Sequence, residues 1–253
     1  MHPLLFHWKF LSLHTYGLFA ALAVLAGHGF TVAWARRRGM DAAAVSDSLP
    51  ALVVGGLLGG RALYALVHWS EFAGAPLDVL KIWQGGLMWH GGGIGGVSAA
   101  AFHFRRRRMP VRAWADLFSP GLALGQALGR VGCFFAGCCY GRACDFPWAV
   151  RFTDPASLAP LGLPLHPSQL YDAGWNVLLF LGLWRLARRP FWSPGPGRLA
   201  ALYLALSALG RWAVELTRGD DRGRLWGSVT VTQGLSLAAA AIVGAWLLKR
   251  RNA

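Results

Sequence analysis

Three arginines lie inside apolar segments, where a charged side chain is costly. Arg61, Arg130 and Arg211 each occupy a stretch long enough to cross a bilayer, and a charge at the centre of such a helix costs at least about 2.5 kcal/mol on insertion scales. A guanidinium group matches phosphate geometry with a planar fork of donors. We therefore interpret these side chains as a candidate site for an anionic phospholipid headgroup.

His90 offers a proton acceptor for chemistry at such a headgroup. It stands between a tryptophan and a run of glycines, and an imidazole can accept and release a proton at neutral pH. Phosphate binding beside a single base suits group transfer from a phospholipid. The chain contains no G-x-S-x-G and no H-E-x-x-H segment, so neither a serine hydrolase nor a zinc protease is indicated.

A purely structural role is the competing interpretation of these polar residues. Long arginines near helix ends extend to the membrane interface, and Arg211 could pair with Glu215, four residues further along the same helix. His28 and His103 are interpreted as structural histidines. Three arginines on separate helices favour the functional interpretation.

The composition excludes several classes of protein. Of 253 residues, 55% are apolar and 14% are charged, whereas soluble proteins average about 25% charged residues. Disorder is excluded by the many apolar and aromatic side chains. The net charge of +14 comes from short basic blocks between apolar stretches, which disfavours nucleic-acid binding because that would need one basic surface.

Apolar stretches of membrane-spanning length predict an all-α, polytopic membrane protein with seven transmembrane helices. A span needs roughly 20 residues, and strand-like alternation is absent. The predicted spans are Tyr16–Ala35, Leu49–Val67, Gly86–Phe104, Ala113–Phe135, Leu170–Leu186, Leu199–Glu215 and Ser228–Leu248.

Basic blocks follow the first, third, fifth and seventh spans. Because basic residues accumulate on the cytoplasmic side, we predict an outer N-terminus and a cytoplasmic C-terminus. Residues 1–253 then form a single integral membrane domain. Outer loops are predicted at 141–168, which has room for a small periplasmic cap, and at 217–228.

Glycines recur four residues apart, a spacing that lets helices approach closely in lipid. The run Gly91–Gly93 is interpreted differently, because consecutive glycines weaken a helix by about 1 kcal/mol each relative to alanine. We expect that run to open the backbone near a ligand.

All four cysteines fall between positions 133 and 144. They could form a disulfide, bind a metal, or fill small buried gaps. The spacing C-x4-C-C-x4-C matches no familiar zinc pattern. The sequence therefore favours a disulfide between Cys144 and one of the other three, and no metal.

Six short segments, in this order, resemble the bacterial phosphatidylglycerol–prolipoprotein diacylglyceryl transferases. Each string alone is weak evidence, but their order along the chain is specific. The segments are Leu13–Gly17 (LHTYG), Gly59–Arg61 (GGR), Trp83–Gly92 (WQGGLMWHGG), Gly129–Phe134 (GRVGCF) with Gly137 and Tyr140–Arg142 (YGR), His166–Tyr171 (HPSQLY), and Gly210–Arg211 with Glu215 and Arg218.

The resemblance implies transfer of the diacylglyceryl group of phosphatidylglycerol to the lipobox cysteine thiol of a prolipoprotein, forming a thioether and releasing glycerol phosphate. It implies a location in the bacterial cytoplasmic membrane. The partners would be phosphatidylglycerol, prolipoprotein signal peptides and the bilayer, with no cofactor, metal or nucleic acid. The implied catalytic residues are Tyr16, His90, Arg130 and Arg211, and the implied substrate-binding residues are Arg61, Gly91, Gly92, Gly141, Gln169, Tyr171 and Glu215.

The chain departs from the family pattern at several positions. Cys133 and Ala136 stand where asparagine is usual, Cys138 and Asp172 where glutamate is usual, and Ser207 where tyrosine is common. These departures motivate an alternative, a phospholipid-binding membrane protein of the same fold that is non-catalytic or altered in specificity. A transporter would show inverted repeats of half the chain, and no such symmetry is visible.

Overall fold

The fold is mostly helical. The structure is a computed structural model, which describes residues 2–8, 11–82, 85–188, 196–220, 224–226, 229–230, 233–234, 237 and 241. The helices are α1 (Thr15–Arg37), α2 (Ala42–Ser46), α3 (Ser48–Val67), α4 (Trp69–Phe72), α5 (Trp89–Arg106), α6 (Val111–Ala136), α7 (Ser168–Ala187) and α8 (Arg198–Glu215), with a 3₁₀ turn at Pro76–Leu80.

Short antiparallel strand pairs accompany the helices. They are β1 (Leu4–Trp8) with β2 (Leu11–His14), β3 (Val150–Arg151) with β4 (Pro164–Leu165), and β5 (Arg224–Trp226) with β6 (Val229–Thr230). The sequence analysis did not predict the β1–β2 pair. It joins directly to α1, since Thr15 N donates to Pro3 O at 2.9 Å.

The helices confirm the predicted helical class of an all-α membrane protein. Each of the first six predicted spans overlaps a long helix. Two segments, Thr15–Arg37 and Ala42–Val67, are long and apolar enough to cross a membrane, so the full set of seven spans is not confirmed. The seventh predicted span, Ser228–Leu248, lies largely outside the described residues.

The chain divides into two compact units. The first unit comprises Met1–Thr31 and Ala115–Ala253, and the second comprises Val32–Trp114. Each unit is built around glycine-mediated helix contacts, as the glycine spacing predicted.

In the second unit, glycines bring α3 and α5 into backbone contact. A Cβ atom on Gly59 would abut Gly91 O and would lie 2.8 Å from Gly95 Cα, and one on Gly55 would lie 2.7 Å from Gly95 O. Side chains at these positions would therefore force the helices apart. The expectation that Gly91–Gly93 opens the backbone is wrong, because these residues continue the helix of α5.

In the first unit, α1 and α6 meet in the same way. A Cβ on Gly27 would lie 2.6 Å from Gly121 O, and one on Gly125 would lie 2.9 Å from Ala23 O. Thr31 Oγ1 donates to Gly27 O at 2.8 Å, which satisfies a hydroxyl buried at this contact.

Asp116, an acid within a predicted span, has a structural role. Its carboxylate accepts hydrogen bonds from Gly197 N and Ala200 N, both at 2.7 Å. Gly197 is the N-cap residue of α8 and Ala200 lies in its first turn, where N–H groups lack partners within the helix. The negative charge also suits the positive end of the helix dipole.

The segment between α6 and α7 folds on itself. Strands β3 and β4 pair within it, and single bridges join Ala143 to Leu165 and Phe152 to Leu161. Phe152, Ala159 and Leu165 form a small buried core. This folded segment fixes where α7 begins, and α7 carries part of the site described next.

Candidate functional site

The ends of three helices bring Arg130, Asp172 and Arg211 together. Arg130 lies near the end of α6, Asp172 near the start of α7, and Arg211 near the end of α8. Arg130 Nε lies 2.8 Å from Asp172 Oδ2, and Arg211 Nη1 donates to the same oxygen at 2.9 Å. We call these three residues the arginine clamp.

The arginine clamp carries more positive than negative charge. One carboxylate faces two guanidinium groups, so the three side chains sum to a single positive charge. The Asp172 side chain is 7% exposed, whereas those of Arg130 and Arg211 are 22% and 21% exposed. Asn176 Nδ2 holds the other carboxylate oxygen at 2.9 Å. A fixed, buried acid thus orients two partly exposed cations, an arrangement suited to a polyatomic anion.

Tyr16 lies at the start of α1 beside the helix that carries Arg130. A Cβ on Gly132 would lie 2.7 Å from Phe19 Cβ and 3.6 Å from Tyr16 Cδ2, so α1 approaches α6 two residues beyond Arg130. The Tyr16 side chain is 43% exposed. A fourth helix therefore contributes a hydroxyl-bearing residue next to the arginine clamp.

Gly141 occupies a crossing of three chain segments. It forms a bridge with Arg218, and a Cβ on it would lie 2.5 Å from His166 Cβ and 2.6 Å from Ser168 Oγ. Arg142 N donates to Thr217 O at 2.9 Å, and His166 N donates to Arg142 O at 3.0 Å. A side chain at Gly141 would therefore separate the start of α7 from the segment that follows α8.

Gln169 and Tyr171 lie in the first turn of α7. Gln169 is buried, and its Nε2 donates to Cys138 O at 2.9 Å. Among the residues that the structure describes, nothing donates to Gln169 Oε1, which leaves a buried acceptor. The Tyr171 hydroxyl accepts from Trp148 Nε1 at 2.8 Å and lies 3.3 Å from His166 Nδ1.

Arg218 follows α8 and has carboxylates of its own. Its Nε and Nη2 donate to the two oxygens of Asp220, each at 2.8 Å, and Nε lies 3.8 Å from Glu215 Oε2. Burial lowers the pKa of Arg218, but Asp220 and the nearby Cys139 raise it by a larger amount, so the net shift of the pKa is upward. Arg218 therefore stays charged beside the arginine clamp.

Three cysteine sulfurs gather at the end of α6. The Sγ atoms of Cys133, Cys138 and Cys139 all lie within 4.8 Å of one another, and Arg130 Nη1 lies 3.7 Å from Cys139 Sγ. We call these three residues the thiol cluster. Hydrogen bonds from Cys133 and Cys138 lower the pKa of Cys139. The structure describes all four cysteines and places none of them in a disulfide, so it does not bear out the expected disulfide through Cys144.

Arg61 lies in the second unit and is surrounded by backbone carbonyls. Its guanidinium donates to Val79 O at 2.8 Å, Asp78 O at 2.7 Å and Gly85 O at 2.7 Å. The residue is 5% exposed, and the Phe72 ring lies 5.1 Å from its Cζ atom. These contacts support a loop-anchoring role. A contact between Arg61 and substrate stays a prediction.

His90, Gly91 and Gly92 form the first turn of α5, also in the second unit. His90 is exposed. Gly91 faces the backbone of α3, and a Cβ on Gly92 would lie 3.4 Å from Gly56 O. The two glycines therefore have a demonstrated role in helix contact, and their substrate-binding role stays a prediction.

Comparison with known proteins agrees with the sequence motifs. The sequence model of the prolipoprotein diacylglyceryl transferase family matches residues 3–249. The chain belongs to this family. It is 37% identical to the phosphatidylglycerol–prolipoprotein diacylglyceryl transferase of Synechococcus elongatus, over 91% of this chain and 81% of that protein. It is 33% identical to the enzyme of the same name from Clostridium tetani, over 94% of this chain and 93% of that protein.

Within this family member, the first unit holds most of the predicted site residues. Arg130 and Arg211 meet as predicted, through a carboxylate that the sequence analysis did not assign to the site. The sequence analysis missed Asn176, and it named Asp172 and Arg218 within the family pattern without giving either a role in the site. A signal for Asp172 was present, because an acid inside an apolar span requires a cationic partner. The predicted residues of the first unit are Tyr16, Arg130, Gly141, Gln169, Tyr171, Arg211 and Glu215.

Proposed function

We propose that this chain transfers the diacylglyceryl group of phosphatidylglycerol to the lipobox cysteine of prolipoproteins. The observation that carries the proposal is the arginine clamp, in which two guanidinium groups share one carboxylate oxygen. Relatives of similar length bear the name of this activity. The clamp supplies what the reaction needs most, a fixed cationic site for a phosphodiester.

The arginine clamp is suited to stabilising the leaving group. In the reaction the thiolate sulfur attacks the carbon of the diacylglyceryl group that bears the phosphate ester. A C–S bond forms, and the bond between that carbon and the phosphate oxygen breaks. Negative charge then grows on glycerol phosphate. Preorganised donors at such a position each contribute a few kcal/mol to the rate. Arg130 and Arg211 take this role, and Asp172 positions them.

An apolar cleft lies between α7 and α8. It has a volume of about 210 Å³ and is lined by Trp175, Leu178, Leu179, Gly182, Leu183 and Leu206. Trp175 follows Asp172 by three residues, so the cleft begins about one helical turn from the clamp. A charged site and an apolar cleft on the same two helices fit the headgroup and an acyl chain of a phospholipid.

The nucleophile of the reaction is a thiolate, and a free thiol has a pKa of about 8.5. His90 is assigned the role of accepting the thiol proton, and Tyr16 that of a hydrogen-bond donor near Arg130. The remaining residues assigned to substrate binding are Gly91, Gly92, Gly141, Gln169, Tyr171 and Glu215. Arg61 is instead assigned the role of anchoring the loop whose carbonyls it binds. For Gln169, the support is its buried Oε1 acceptor.

The membrane arrangement belongs to the same proposal. A single domain over residues 1–253 crosses the bacterial cytoplasmic membrane seven times, with an outer N-terminus and a cytoplasmic C-terminus. The folded segment at 141–168 and the loop at 217–228 then lie on the outer side, where lipobox-bearing signal peptides emerge. The basic residues at Arg36–Arg38 and Arg105–Arg108 support this orientation.

The direct test is turnover by purified protein in lipid nanodiscs. Phosphatidylglycerol and a lipobox peptide are added, and mass spectrometry follows the peptide for the mass of a thioether-linked diacylglyceryl group. Product is expected with phosphatidylglycerol and not with a zwitterionic lipid. Binding of phosphatidylglycerol without product, under conditions in which a relative is active, would establish the non-catalytic alternative instead.

A further inference from the structure

The thiol cluster is not explained by the proposed transfer reaction. Cys133 lies in the last turn of α6, and Cys138 and Cys139 lie in the turn that follows. Their sulfurs are within 4.8 Å of one another, Cys133 is buried, and the other two are partly exposed. Cys144, five residues further on, is outside the cluster.

The turn that forms the cluster has an unusual backbone. Gly137 and Cys139 have φ angles of 75° and 61°, and a left-handed conformation costs a residue other than glycine roughly 1–2 kcal/mol. A strained residue that persists in a structure points to function. The turn is also held from α7, since Gln169 Nε2 donates to Cys138 O at 2.9 Å.

The distances suit a metal ion. A zinc–thiolate bond is about 2.3 Å long, so three sulfurs around one ion lie roughly 3.8–4.0 Å apart. The observed upper limit of 4.8 Å exceeds that separation by at most about 1 Å, a gap that small side-chain rotations can close. Thiolates prefer soft ions such as Cu⁺ and Zn²⁺.

The surrounding charges suit the loaded site. Three thiolates with Zn²⁺ sum to one negative charge, and with Cu⁺ to two. Arg130 Nη1 lies 3.7 Å from Cys139 Sγ, and Arg218 also bonds to this thiol. Because cations favour thiolates over thiols, the two arginines stabilise both the deprotonated ligands and the anionic complex.

We propose that Cys133, Cys138 and Cys139 bind one soft cation with a filled d shell, Zn²⁺ or Cu⁺. Three S–H bonds break, three metal–sulfur bonds form, the protons pass to solvent, and no atom changes oxidation state. The proposal departs from two sequence-based expectations, a disulfide through Cys144 and the absence of a metal. The site differs from the arginine clamp, although Arg130 contacts both.

Cadmium binding to the full-length protein tests the proposal. Protein in detergent is reduced with a phosphine and titrated with Cd²⁺, and the ultraviolet thiolate-to-cadmium charge-transfer band is recorded. One ion per chain is expected, displaced by Zn²⁺ or by Cu⁺ according to which the site prefers. Single alanine variants at Cys133, Cys138 and Cys139 should weaken binding by more than the roughly 10–100-fold that loss of an outer-shell partner costs.

Cys144→Ala is the matched control and should bind Cd²⁺ as the unaltered chain does. A second measurement uses the unaltered chain, so its result does not depend on whether the variants fold. Bound Cd²⁺ should protect Cys138 and Cys139, but not Cys144, from alkylation mapped by mass spectrometry. Absence of the charge-transfer band, or its loss in Cys144→Ala with retention in Cys138→Ala, would overturn the proposal.

Discussion

The two units of this protein use arginines of their apolar segments in opposite ways. In the second unit, Arg61 donates to the backbone carbonyls of Asp78, Val79 and Gly85 and is 5% exposed. In the first unit, Arg130 and Arg211 converge on a single carboxylate oxygen, with side chains 22% and 21% exposed. A ring of neutral carbonyls fixes a loop, whereas two guanidinium groups that converge on one carboxylate oxygen form a site suited to a polyatomic anion.

This comparison gives a physical criterion for an arginine within an apolar segment. Both kinds of arginine occupy apolar stretches of similar length, so the segment alone does not distinguish them. The partners do, because carbonyl dipoles satisfy the donors without changing the net charge. Arginines from separate helices that converge on a single carboxylate are the candidates for phosphate binding.

The largest expected effect separates the two kinds of arginine by activity. Arg130→Lys and Arg211→Lys should each lower the turnover number by about 10²–10³-fold, comparable with the loss of one preorganised oxyanion donor. Lysine keeps the charge but not the planar fork. Turnover is measured by thioether product in nanodiscs. Arg112→Lys is the control, at an exposed position at the other end of α6. Wild-type turnover in the Arg130 or the Arg211 variant would contradict the role of the arginine clamp in the reaction.

The complementary change is Arg61→Lys, which should affect stability rather than chemistry. Lysine reaches fewer of the carbonyls, and hydrogen bonds to a charged group contribute about 1.5–3 kcal/mol each. We expect the free energy of unfolding to fall by about 3 kcal/mol, measured by denaturation in detergent. Turnover per folded molecule should change less than in the clamp variants. A large loss of turnover at unchanged stability would show instead that Arg61 contacts substrate.

Two glycines of α3 test whether the second unit depends on backbone contact between α3 and α5. Gly59→Ala places a methyl group against Gly91 O, whereas Gly56→Ala meets Gly92 O at an ordinary 3.6 Å. Overpacking costs about 1–3 kcal/mol, so Gly59→Ala should lower the melting temperature. Gly56→Ala should leave it unchanged or raise it slightly. Equal melting temperatures for the two variants would contradict the backbone contact between α3 and α5.

The smallest expected change in turnover is that of a conservative substitution at the shared acid of the arginine clamp, and the non-conservative substitution is its contrast. Asp172→Glu keeps the charge and restores the residue more usual in the family, so turnover should change by only a few-fold. Asp172→Asn removes the charge that holds two cations together, and destabilisation of about 3 kcal/mol or more is expected from the uncompensated guanidinium groups. Paired measurements of turnover and unfolding on both variants check this. An Asn variant as stable as the parent would show that Asp172 does not hold the clamp.

The sequence predicted the helical segments well and the chemistry in part. Long apolar stretches require backbone hydrogen bonds within each segment, which only helices and closed barrels provide, and α1 and α3 follow within a few residues of the predicted ends. The β1–β2 pair and the folded segment around Phe152 were missed, because strands of two to five residues leave little periodic signal.

By itself, the sequence determined the helical class, the family, and the conclusion that Arg130 and Arg211 belong to one site. Those conclusions depend on local composition and ordered motifs, which are properties of contiguous residues. The tertiary structure decided the partners: a shared Asp172 for the two clamp arginines, backbone carbonyls for Arg61, and a cluster of three thiols that excludes Cys144. Partner choice depends on which side chains meet across helices and turns, and no spacing along a single chain encodes that meeting.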